Sequence, residues 1–97
     1  MKKKQLQIEK LEIAASMLRA LAHPMRIAVI DLLTVNKRLS VTEIYERLGI
    51  EQASASHHLN ILKSKGLLES KREGKMIFYS LKQNRLSEII DCLERCV

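Results

Sequence analysis

The stretch Val41–Gly66, VTEIYERLGIEQASASHHLNILKSKG, decides the fold. Its first part sets Ile44 and Leu48 four apart and stops at Gly49, the residue type that most readily closes a helix. From about Gln52 to Lys65 a second helical period carries Ala55, His58, Leu59 and Leu62, and Gly66 closes it. The connection GIEQ between the two has the length and the glycine of a helix-turn-helix turn. Residues 41–66 therefore predict a helix-turn-helix.

Downstream the period changes. LLESKREGKMIFYSL reads as two strands, Leu67–Lys71 and Met76–Leu81, around a basic tip in which Gly74 supplies the turn. Residues 67–81 thus predict a β-hairpin wing. Upstream, past Lys2, Lys3 and Lys4, Leu11, Ala14, Leu18 and Leu21 recur at helical steps, with Ile8, Ile13 and Met17 widening the stripe. His23-Pro24 restarts the chain, since proline sits in a helix mainly in its first turn, and a second helix carries Ile27, Ile30 and Leu33 inward. A last helix, about Gln83 to Arg95, lines up Leu86, Ile89, Ile90 and Leu93. The predicted fold is mainly α with a small β-hairpin, in the order α-α-α-α-β-β-α: one winged helix-turn-helix domain over residues 1–97.

A chain of 97 residues holds one ordinary core. A domain that small gains stability by sharing core with a second copy, so a homodimer is expected. Lysine and arginine number 17 against 11 acidic residues, a net charge of +6, which favours a polyanionic partner. No apolar run approaches the ~20 residues of a membrane span, and the basic start MKKKQLQIEK is not followed by a signal-peptide core. The expected setting is cytoplasmic, without a membrane partner.

The face of the 52–65 helix narrows the partner. With ~100° per residue, Ala55, His58, Leu59 and Leu62 gather on one side, while Ala53, His57, Asn60 and Ser64 lie opposite, flanked by Ser54, Ser56 and Lys63. Small residues allow close approach, and Ser, Asn and His donate to or accept from base edges, which suits a DNA major groove. A merely solvated helix would more usually show Glu and Lys. Lys71, Arg72 and Lys75, at the hairpin tip, would reach phosphates or a flanking minor groove. Double-stranded DNA is the expected partner, with Ser54, Ser56, His57, Asn60, Lys63, Lys71, Arg72 and Lys75 as the contacting residues.

Catalysis is poorly supported. The only aspartates are Asp31 and Asp91, no glycine-rich phosphate loop occurs, and Ser56 and His57 diverge by ~100° on a helix, so they cannot act as nucleophile and base. A second alternative is a winged helix used only for protein contacts, without an inducer. Such a module has no need of three basic residues on its wing.

LAHPMRIAVIDLL, LSVTEIYERLGI and ASASHHLNILKSKGLLESKREGKMIFYSL together resemble the ArsR/SmtB family of winged-helix repressors, over most of residues 18–81. The resemblance implies a homodimer whose dimerisation helices are 1–22 and 83–97. It further implies that the helix from Gln52 enters the major groove of an imperfect palindrome and leaves it when an inducer binds. Ser54, Ser56 and His57 match positions facing DNA in the family, and His58 a largely structural one. The family's thiolate metal box is replaced here by Ser40-Val41-Thr42, and its last-helix histidine site is missing from QNRLSEIIDCLERC. Hydroxyls are poor ligands for soft metals.

Cys92 and Cys96 remain, spaced i, i+4 on one side of the last helix. Three readings compete for them: foremost small apolar residues at the dimer edge, next a thiol switch responding to oxidants or persulfides, and last a soft-metal site shared between subunits. An intrahelical disulfide would need Cβ atoms near ~3.8 Å, so oxidation would unwind the last turn or act across the two-fold. No other cofactor is expected.

Overall fold

The computed structural model describes the backbone of residues 2–82 and the side chains of residues 8–82. The expected last helix, with Cys92 and Cys96, lies outside the described residues. Four helices and three strands follow in the order α1 (Lys2–Leu21), α2 (Pro24–Val35), β1 (Leu39–Ser40), α3 (Val41–Leu48), α4 (Gln52–Ser64), β2 (Leu68–Glu73) and β3 (Met76–Leu81).

The corner between α1 and α2 turns through 98°. Pro24 opens α2, and His23 precedes it in an extended conformation, its Nδ1 accepting from the Met25 N–H at 3.1 Å. Imidazole thereby does the capping that Ser or Asp usually does, satisfying one of the helix's orphan donors. At the other end Asn36 donates to the Leu32 carbonyl from both its backbone and its side-chain amide, each at 2.9 Å.

Two helix faces differ from the sequence reading. On α1 the buried positions are Ala14, Met17 and Ala20, while Ile8, Ile13 and Leu18 stay exposed. The small Ala14 and Ala20 let α1 lie close to the body of the domain, and Leu21 packs against the same core. On α2 the buried stripe runs through Val29, Ile30 and Leu33, with Arg26 half-buried on the same side. Ile27, expected inward, lies about 110° from the centre of that stripe and is 56% exposed.

The turn between α3 and α4 is as expected. Ser40 caps α3 by a reciprocal pair: its Oγ accepts from the Glu43 N–H at 3.1 Å, and the Glu43 carboxylate accepts from the Ser40 N–H at 3.0 Å. Gly49 ends α3 at φ 66°, a left-handed conformation that strains any residue with a Cβ. Ala55, His58, Leu59 and Leu62 are all buried on α4, as their spacing predicts.

The sheet has the order β1-β3-β2, all antiparallel. β1 is an addition to the sequence reading: Leu39 pairs with Tyr79 and Ser40 with Phe78. β2 begins one residue later than expected and runs on to Glu73, which pairs with Met76 across the two-residue turn Gly74-Lys75. Gly74 supplies the positive φ, 62°, that such a turn requires. One core joins the elements, with Val29, Ile44, Leu59 and Leu62 fully enclosed and Leu67, Leu68 and Tyr79 closing it from the hairpin.

Candidate nucleic-acid interface

α4 holds its outward side chains by burying its inward ones. Leu59 and Leu62 have no solvent exposure, and each is worth ~1.5–3 kcal/mol relative to an exposed side chain. The helix therefore cannot roll about its axis without exposing them. Ala53, Ser54, His57, Asn60, Lys63 and Ser64 consequently face solvent, and Ser56 is half-buried at the edge. The expected face is assembled as a continuous patch.

Two of its members also have duties within the fold. Lys63 Nζ donates to Ser70 Oγ on β2 at 2.7 Å, tying the end of α4 to the base of the hairpin. Ser64 Oγ donates to the Ile61 carbonyl at 2.8 Å, which leaves the hydroxyl oxygen as an outward acceptor. His57 and His58, adjacent in the chain, have ring centroids 5.7 Å apart, one ring exposed and the other buried. They do not form one site.

The hairpin distributes its basic residues differently from the sequence reading. Lys71 pairs with Phe78 and Arg72 with Ile77, two rungs and one rung below the Glu73–Met76 pair, so these residues lie in the strand and only Lys75 sits in the turn. Alternation puts Lys71 and Arg72 on opposite faces. Arg72 shares its face with Ser70, the partner of Lys63, and so continues the side of the sheet that meets α4. Lys71 shares the other face with Glu73. All three are exposed.

A residue the sequence reading passed over completes that second face. Arg38, in the connection before β1, donates to the Glu73 carboxylate at 2.7 Å, and its guanidinium carbon stands 4.1 Å above the Phe78 ring. The hydrogen bond from Arg38 holds the Glu73 carboxyl below its usual range, so it stays ionised and paired. Without Arg38, Glu73 would place an uncompensated negative charge beside Lys71 and Arg72. The only signal in sequence is the basic, polar NKRLS segment, which does not say that Arg38 meets a residue 35 positions on.

Ser40, where the family's thiolate box would begin, is 2% exposed and engaged as a helix cap. Among the described residues no three His, Cys, Asp or Glu side chains gather closely enough to hold a metal ion, and no single helix is long and apolar enough to cross a membrane.

Comparison with known proteins agrees with this geometry. A helix-turn-helix domain family matches residues 21–71. An HTH-type transcriptional regulator of Methanocaldococcus jannaschii is 37% identical over 87 residues, covering 90% of this chain and 98% of its own. The crystal structure of the transcriptional repressor PagR of Bacillus anthracis superposes with a TM-score of 0.75 at 35% identity, over 89% of this chain and 98% of that one. The homodimeric winged helix-turn-helix DNA-binding domain of a possible ArsR-family regulator from Mycobacterium bovis does so with a TM-score of 0.73 at 29% identity, over 89% and 79%. The chain belongs to the ArsR/SmtB family of winged helix-turn-helix transcriptional regulators, a family of regulators and not of enzymes.

Proposed function

We propose that the protein is a sequence-specific DNA-binding repressor that acts as a cytoplasmic homodimer on an imperfect palindrome. The single observation that carries this reading is the outward face of α4, where Ala53, Ser54, His57 and Asn60 present small and hydrogen-bonding groups on a helix locked by its own buried side. In the groove, Asn60 and His57 read base edges, while Ser54 and Ser56 bond backbone or base. Lys63 steadies the junction with the wing and adds charge. Lys71, Arg72 and Lys75 meet phosphates on either side of the hairpin, with Arg38 neutralising Glu73 between them.

α1 is the contribution of the described residues to the dimer interface, with exposed aliphatic side chains available to a second copy. A two-fold dimer sets two α4 helices about one turn of DNA apart, ~34 Å. Release follows a signal received at Cys92 and Cys96, thiol oxidation or persulfidation in preference to a soft metal. Selecting DNA from the source genome with purified protein tests the function: recovery of one palindromic sequence supports it, and recovery of unrelated sequences contradicts it. Treating the complex with oxidant, persulfide or soft metal then tests the signal, with the Cys92→Ser/Cys96→Ser double variant as control.

A further inference from the structure

Behind the outward face of α4 lies a polar cluster built from three elements. His58, 8% exposed, has its ring centroid 4.5 Å from that of His23 at the start of α2. Arg26, in the first turn of α2, donates through Nε to His58 Nδ1 at 3.2 Å and through Nη1 to the Ala20 carbonyl at the end of α1, at 3.1 Å. One guanidinium thus links the last turn of α1 to the buried side of α4.

The direction of these bonds fixes a protonation state. Guanidinium is a donor only, so His58 Nδ1 must offer a lone pair, and the ring is neutral with its proton on Nε2. A protonated His58 would turn an N–H toward the Arg26 donor and set two cations together in a site shielded from water. Burial pushes the His58 titration down, and the charges that reach it act the same way: His23 and Arg26 from the α1–α2 corner, and His57 along α4. An unfolded His58 therefore takes its proton at higher pH than the folded one. Its contribution to stability is complete above about pH 6.5 and declines as pH falls below that value.

We propose that Arg26 and His58 are positioning residues for the DNA-reading helix: Arg26 ties neutral His58 to the end of α1, and protonation of His58 unties it, so that DNA affinity falls in acid. The proposal rests on α4 being the helix that contacts DNA. It also makes α1 and α4 a coupled pair, since Arg26 cannot keep both bonds if either helix shifts.

His58→Gln tests it, because the amide oxygen can accept from Arg26 and does not titrate. Affinity for the selected DNA is measured for both proteins between about pH 7.5 and about pH 5.5, the interval a histidine spans. Unfolding midpoints are followed in parallel without DNA. His57 is present in both proteins, so whatever it contributes at the DNA face cancels in the comparison. Affinity falls only as far as folded His58 is protonated, so the wild type is expected to lose a few-fold more affinity than the variant across the interval, and its unfolding midpoint is expected to fall further than the variant's. Equal pH dependence in the two proteins overturns the proposal, whatever their affinity at neutral pH. Failure of the wild type to bind DNA at pH 7.5 would instead overturn the reading of α4, and this proposal with it. Should His58→Gln fail to fold, the ring nitrogens of wild-type His58 decide the matter by NMR: a neutral ring protonated on Nε2 is expected, and a proton on Nδ1 overturns the bond from Arg26.

Discussion

His57 and His58 show how far two neighbours on one helix can differ in role. Their side chains leave α4 ~100° apart, one to solvent and one to the Arg26 cluster. The same division holds at Leu59 and Asn60, the first without exposure and the second exposed. The proposed DNA role of the exposed members predicts that His57→Ala or Asn60→Ala narrows the preference for the selected palindrome over random DNA by about 1–3 kcal/mol, roughly 5- to 150-fold, with little change in folding. Competition binding measures this, and equal losses on both DNAs would remove these residues from base reading. Leu59→Ala should act the other way, destabilising the fold by ~2–5 kcal/mol in denaturant unfolding through the cavity it opens.

The wing and the start of α3 carry the predictions that belong to whole elements. Arg38 and Glu73 are both substantially exposed, so water and salt screen the pair and it contributes little to stability. Its consequence lies in DNA affinity: Arg38→Ala should weaken binding to all sequences, because it leaves Glu73 unneutralised among Lys71, Arg72 and Lys75. Adding Glu73→Gln should restore most of the loss, and a double-mutant cycle that proves additive would show that the pair does not act as a unit. Ser40→Ala removes the α3 cap and should cost about 0.5–2 kcal/mol in thermal or denaturant unfolding. These elements also mark what sequence could reveal. The hairpin was legible because Gly74 and the apolar, strand-prone run Met76–Leu81 are local signals, and the buried face of α4 because four residues share a helical stripe. β1 was not, since two residues show no period and become a strand only by pairing with Tyr79 and Phe78. The Arg38–Glu73 and Arg26–His58 contacts join residues 35 and 32 positions apart, and only the folded chain brings them together. Ile27 went the wrong way for a related reason: hydrophobicity alone could not tell which side of α2 would meet α3 and α4.

Across the whole molecule the net charge of +6, with Lys63, Lys71, Arg72 and Lys75 exposed on α4 and the wing, sets the physics of association. Each phosphate neutralised releases condensed counterions, so affinity should fall with salt on any DNA, with a slope near −0.9 per contact, and Lys75→Ala should reduce that slope by about one. A protein-binding winged helix would show no such dependence. The measurement that bears most directly on the account is therefore wild-type affinity for the selected palindrome and for a scrambled duplex of equal length, each followed across a range of salt concentration. Sequence-specific DNA binding predicts steep weakening with salt on both, and a preference for the palindrome of ~10³-fold or more at physiological salt. Affinity indifferent to salt, or equal on the two duplexes, would contradict it.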